Sequence, residues 1–138
     1  METTQEHNIL HTIQKSQYGF GQSLRYIRVA RGISLREIAR AVGRTPTYIS
    51  DIERGNNRPP DSVLLGKLIH ALALDQASDE IQDYLYDLAA RERGEVSGDI
   101  IEYIMARAEL RKLIRLARQR ENDEEIWQDC IRRLQQPY

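Results

Sequence analysis

The sequence predicts an all-α protein. Apolar residues recur every three or four positions along most of the chain, and no stretch alternates apolar and polar residues as a half-buried strand would. Glycines and short hydroxyl or carboxylate residues punctuate these segments where helices start and stop.

Taken in order, residues 1–18 show no strong period and read as a flexible arm. Phe20 to Arg31 places Phe20, Leu24 and Ile27 on one face, and Gly32 terminates it. Ser34 with Glu37 three residues later forms a capping-box pattern ahead of Leu35, Ile38, Ala39 and Val42, and Gly43 follows. Thr45 is a helix cap, and Pro46 suits the first helical position because its missing N–H has no partner there anyway. Ile49 and Ile52 supply the apolar back of that helix, and Gly55 closes it. Asn56 to Pro60 is a turn-rich connection. Asp61 or Ser62 caps a fourth helix through Leu72, and a fifth runs from about Ser78 to Arg91. Gly94 to Gly98 is the clearest break. Three more helices are predicted beyond it, roughly Asp99 to Ala106, Glu109 to Arg120 and Asp123 to Gln135, with the first two able to run on as one.

Length allows one ordinary domain or two small helical ones among the 138 residues. Hydrophobic residues make up 41% and charged residues 30%, a globular composition. No apolar run approaches the ~18 residues that a bilayer span requires, and Met1 to Gln17 has no signal-peptide core. A single cysteine, Cys130, excludes an intrachain disulfide and a cysteine metal cluster, and reads as a buried small hydrophobe. These features fit a reducing cytoplasm.

The net charge is −1, which alone argues against nucleic acid. Its distribution argues otherwise. Residues 19–75 hold nine Arg and Lys against five acids, a net of +4, whereas residues 76–138 hold ten against fourteen, a net of −4. A basic and an acidic half suggest two jobs.

The stretch SLREIARAVGRTPTYISDIERG, Ser34 to Gly55, is the most informative. It pairs two short helices across a tight turn at Gly43-Arg44, with the small Ala39 where they cross. The second helix has a polar front and an apolar back, as a helix entering a ~12 Å major groove needs. Together with Arg28, Gly32 and Pro59, these residues resemble the Cro/repressor, or xenobiotic-response-element, helix-turn-helix family over residues 19–75. The resemblance implies a five-helix phage-repressor-like domain whose third helix reads bases, followed here by a small C-terminal helical region. It implies transcriptional regulation, usually repression, by a dimer on palindromic double-stranded DNA. It also implies an ion pair between Arg28 and Glu53. Leu35 departs from the pattern, since the family commonly places glutamine there to contact the DNA backbone.

The predicted DNA-binding set is Ser34, Arg36, Arg44, Thr45, Pro46, Thr47, Tyr48, Ser50, Asp51, Arg54, Asn57 and Arg58. Thr47 is the first candidate for a base contact. Thr45 can cap only, or also face a phosphate, and Tyr48 can belong to the core instead. Arg44 can pair with guanine or hold a phosphate, and Arg58 is either a backbone contact or a solvated loop charge. Arg111, Arg115 and Arg118 read as a solvated face, with a second nucleic-acid surface as the alternative. His7, His11 and His70 are too scattered for a metal triad, and no cofactor motif, phosphate loop or nucleophile elbow is present, so an enzyme is not expected.

The last three helices carry more apolar surface than a short layer hides. Ile104, Leu113, Ile114, Trp127, Ile131 and Leu134 are therefore predicted to dimerise the chain, the alternative being a small core packed on the fifth helix through Leu85 and Leu88. A competing function is an autoregulating antitoxin or phage-type inhibitor whose acidic C-terminal half binds a protein target.

Overall fold

Helical periodicity sets the architecture, and helix caps set its boundaries. The computed structural model describes residues 4–74 and 79–137. Its described residues are helical, in the order α1 (Thr4–Lys15), α2 (Phe20–Ala30), α3 (Leu35–Val42), α4 (Pro46–Glu53), α5 (Ser62–Ala71), α6 (Asp79–Glu92), α7 (Gly98–Ala106), α8 (Ala108–Arg118) and α9 (Glu124–Gln135). Two compact units result, residues 1–98 and 99–138. Residues 75–78, where the start of the fifth predicted helix falls, lie outside the described residues.

The N-terminal stretch differs from the flexible arm that the sequence suggested. It contains α1, whose Ile9, Leu10 and Ile13 are buried in the core of the first unit. Contacts distant in sequence hold it: Glu6, itself buried, pairs with Arg31 at 3.3 Å, and α1 packs on α2. Three apolar side chains in twelve residues are too few to show a period, so only the tertiary contact reveals the helix.

Within this unit α3 and α4 meet across Gly43, whose φ of 71° is left-handed and is tolerated best by glycine. α5 packs on α3, and α6 packs on α2 and α5. The fifth predicted helix, α6, thus belongs to the first unit, which reaches well past residue 75. Leu85 is buried in that same core and Leu88 packs against it. α2 approaches the end of α4 so closely at Gly21 that a Cβ there would stand 2.2 Å from the Ile52 carbonyl oxygen. A side chain at position 21 would force the two helices apart, which fixes the seat of α4.

The second unit consists of α7, α8 and α9. α7 and α8 are separate helices, because Arg107 takes an extended backbone. The Arg111 guanidinium then donates to the Ile104 and Met105 carbonyls at 2.9 and 2.6 Å, satisfying acceptors that the end of α7 leaves open. Ala117 is the one buried residue among those described in this unit. Cys130 is half-buried rather than buried.

Candidate nucleic-acid interface

α4 is positioned from both ends and from behind. At its start the Thr45 hydroxyl accepts from the Tyr48 N–H at 3.1 Å, and Pro46 occupies the first turn. Behind it Ile49, Ile52 and Glu53 are buried. Glu53 is held by a bidentate pair with Arg28, at 2.7 and 3.0 Å, and Arg28 also donates to the Ile33 carbonyl at 2.9 Å. The side chains of this pair are only 12% and 5% exposed, so it forms a buried strut between α2 and α4.

A back formed by Ile49, Ile52 and Glu53 turns the opposite face outward. At 100° per residue that outer face holds Thr47, Asp51 and Arg54. Thr47 and Arg54 are exposed and Asp51 is half-buried. The Ser50 hydroxyl accepts from the Arg54 guanidinium at 2.6 and 3.2 Å, which draws Arg54 along the helix. Tyr48 is half-buried and packs against the core. Its ring offers a face to Arg44, whose guanidinium carbon lies 5.7 Å from the ring centre.

Around α4 stands a set of exposed cations. Ser34 caps α3 through a complete capping box with Glu37, which leaves Arg36 on the outer face of α3. Arg40, one turn later and equally exposed, joins it, although the motif reading did not single it out. Leu35, where the family commonly has glutamine, is half-buried and packs against the core. Asn57 and Arg58 are exposed in the loop after α4, and the Asp51 carbonyl accepts from the Asn56 and Asn57 N–H groups at 2.8 and 3.3 Å. The twelve candidate DNA-contacting residues therefore converge on α4, its two flanking turns and the first turn of α3.

Sequence reasoning missed Arg93, at the end of α6. It reaches across to the loop after α4, where its guanidinium donates to the Pro59 carbonyl at 3.0 Å. A spacing of 34 residues leaves no local signal. The other basic candidates, Arg115 and Arg118, are exposed on α8, as on a solvated face. Among the described residues no group of three His, Cys, Asp or Glu side chains is placed to hold a metal, and no helix is long and apolar enough to cross a membrane.

The family comparison falls on the same segment of the chain. Residues 20–80 match the family model of a helix-turn-helix domain. No curated protein matches the chain. The crystal structure of the clp gene regulator ClgR from C. glutamicum is 35% identical over 54% of this chain and 84% of that chain, with a TM-score of 0.39. Residues 20–80 carry a helix-turn-helix domain, which supports a DNA-binding regulator.

Proposed function

We propose that the protein is a sequence-specific repressor that binds a palindromic operator as a homodimer, with α4 in the major groove. The observation that carries this reading is the outer face of α4. It is polar, accessible and backed by a buried strut, and Arg36, Arg40, Arg44 and Arg58 stand around it without an ion pair among the described residues. Cations so placed can neutralise phosphates on either side of a groove while short polar side chains meet base edges. Repression and palindromic pairing rest on the resemblance to phage-type repressors. One recognition helix covers only a few base pairs, and two copies about one helical turn, ~34 Å, apart supply the rest.

The pairing surface is the second unit. Ile104 and Trp127 are half-buried there, while Leu113, Ile114, Ile131 and Leu134 are exposed. The antitoxin reading rested on an acidic C-terminal half, and the charge divides differently at the unit boundary. Residues 76–98 hold two basic and six acidic residues, a net of −4, whereas residues 99–138 hold eight of each and are neutral. A neutral, apolar unit suits a second copy of itself better than a strongly basic target.

Thr47→Ala tests the reading of α4. Loss of one base contact should reduce discrimination between preferred and scrambled DNA by about 1–3 kcal/mol while affinity for scrambled DNA stays unchanged. Equal weakening on both would remove Thr47 from the base-reading set. The measurement is a fluorescence-anisotropy titration of both duplexes at fixed salt.

A further inference from the structure

The loop of residues 56–60 is tied down at both ends. Its start is held by the Asp51 carbonyl of α4. Its far end is held by a reciprocal pair of hydrogen bonds to the end of α6: Arg58 donates to the Arg93 carbonyl at 3.1 Å, and Arg93 donates to the Pro59 carbonyl at 3.0 Å. Pro59 and Pro60 are buried, so the loop cannot lift without exposing them. Between this loop and α4 opens a cleft of about 350 Å³ whose lining includes Arg44, Tyr48, Asn57, Arg58, Asp61 and Arg93.

The groups in this cleft have different amounts of freedom. The Asp61 carboxylate, its one acid, is engaged as the cap of α5 and accepts from the Leu64 N–H at 3.0 Å. Arg93 is occupied by the Pro59 carbonyl and by Glu95, 3.5 Å from its Nε. Arg44 lies over the Tyr48 ring, and among the described residues its N–H groups have no hydrogen-bond partner. Arg58 spends one of its five N–H donors on the Arg93 carbonyl and keeps the others. Two guanidinium groups with donors to spare, both lining a cleft beside α4 and one of them held by the Arg93 carbonyl, match the charge and acceptors of a phosphodiester.

We propose that this cleft seats one phosphodiester of the bound DNA strand, and that Arg93 is a positioning residue for DNA binding that holds Arg58 and its loop in place. The inference rests on the DNA-binding reading above and adds a residue that does not itself touch DNA. Ordering a loop and a long side chain before binding removes a cost that a free loop meets on association. Arg93 therefore contributes affinity through Arg58, and its contribution disappears when Arg58 is absent.

The test is a double-mutant cycle on the full-length chain, with duplex titrations at several salt concentrations and urea unfolding alongside. Arg58→Ala should weaken binding to every sequence and lower the salt slope by about 0.9, the value for one phosphate. Arg93→Ala should do the same, with affinity falling about three- to tenfold, and the double variant should be no weaker than either single one. Arg93→Lys, which keeps a donor for the Pro59 carbonyl, should recover part of the loss and guards against an unfolded alanine variant. Wild-type affinity and slope in Arg93→Ala, or losses at 58 and 93 that multiply, would overturn the positioning role while leaving the DNA-binding reading intact. A wild-type chain with no salt-dependent affinity for duplex DNA would overturn both.

Discussion

The two units handle apolar surface in opposite ways. Among the described residues the first buries twenty-one apolar side chains and leaves three large ones, Val29, Val63 and Val96, exposed. The second buries Ala117 alone and leaves ten large ones exposed, among them Tyr103, Met105, Leu116 and Leu134. Charge follows the same division. The first unit separates its charge, with cations around α4 and acids on α6, whereas the second is balanced. A structure that buries its apolar residues can present a rigid polar face to DNA. One that leaves them exposed fits the proposed pairing role, since scattered single apolar residues are normal on a surface but a dense set is not. The contrast teaches that the proposed reading surface and the proposed pairing surface are made from different balances of the same residue types.

The largest effect that would break this comparison lies in the first unit. If α4 is fixed by the strut behind it, then removing Arg28 strands the buried Glu53 carboxylate. Arg28→Ala should cost about 3–5 kcal/mol in urea unfolding, as uncompensated buried charges do. The double variant with Glu53→Gln should recover much of that loss. Additive effects would mean that the pair is not coupled.

A substitution of comparable size in the second unit should behave in the opposite sense. Leu134 is 87% exposed, so Leu134→Glu should shift the unfolding of the dilute chain by no more than about 0.5 kcal/mol. By sedimentation velocity at higher concentration it should convert a dimer to a monomer. A variant that stays dimeric would remove α9 from the pairing surface, and one that unfolds would show that Leu134 supports the unit itself.

Much of the first unit was legible because its signals are local. The capping box at Ser34, the cap at Thr45 and the left-handed glycines Gly32, Gly43 and Gly55 all act within four residues, and each boundary from the end of α2 to the end of α4 follows from them. The three C-terminal helices were legible for the same reason, to within two residues at each end. What stayed hidden was nonlocal. α1 is held by Glu6 on Arg31 and by its buried apolar side chains, and the Arg58–Arg93 latch joins residues 35 apart. The acidic C-terminal half was a true count drawn at the wrong boundary, because α6 belongs to the first unit.

The central claim is that α4 reads sequence and that the second unit pairs two copies to read it twice. Selection of bound duplexes from random DNA by the intact chain tests both parts at once. The expected result is one enriched motif with two-fold symmetry, its half-sites about 10 base pairs apart from centre to centre. An enriched motif without symmetry would contradict the pairing, and no enrichment over the starting pool would contradict sequence reading by α4.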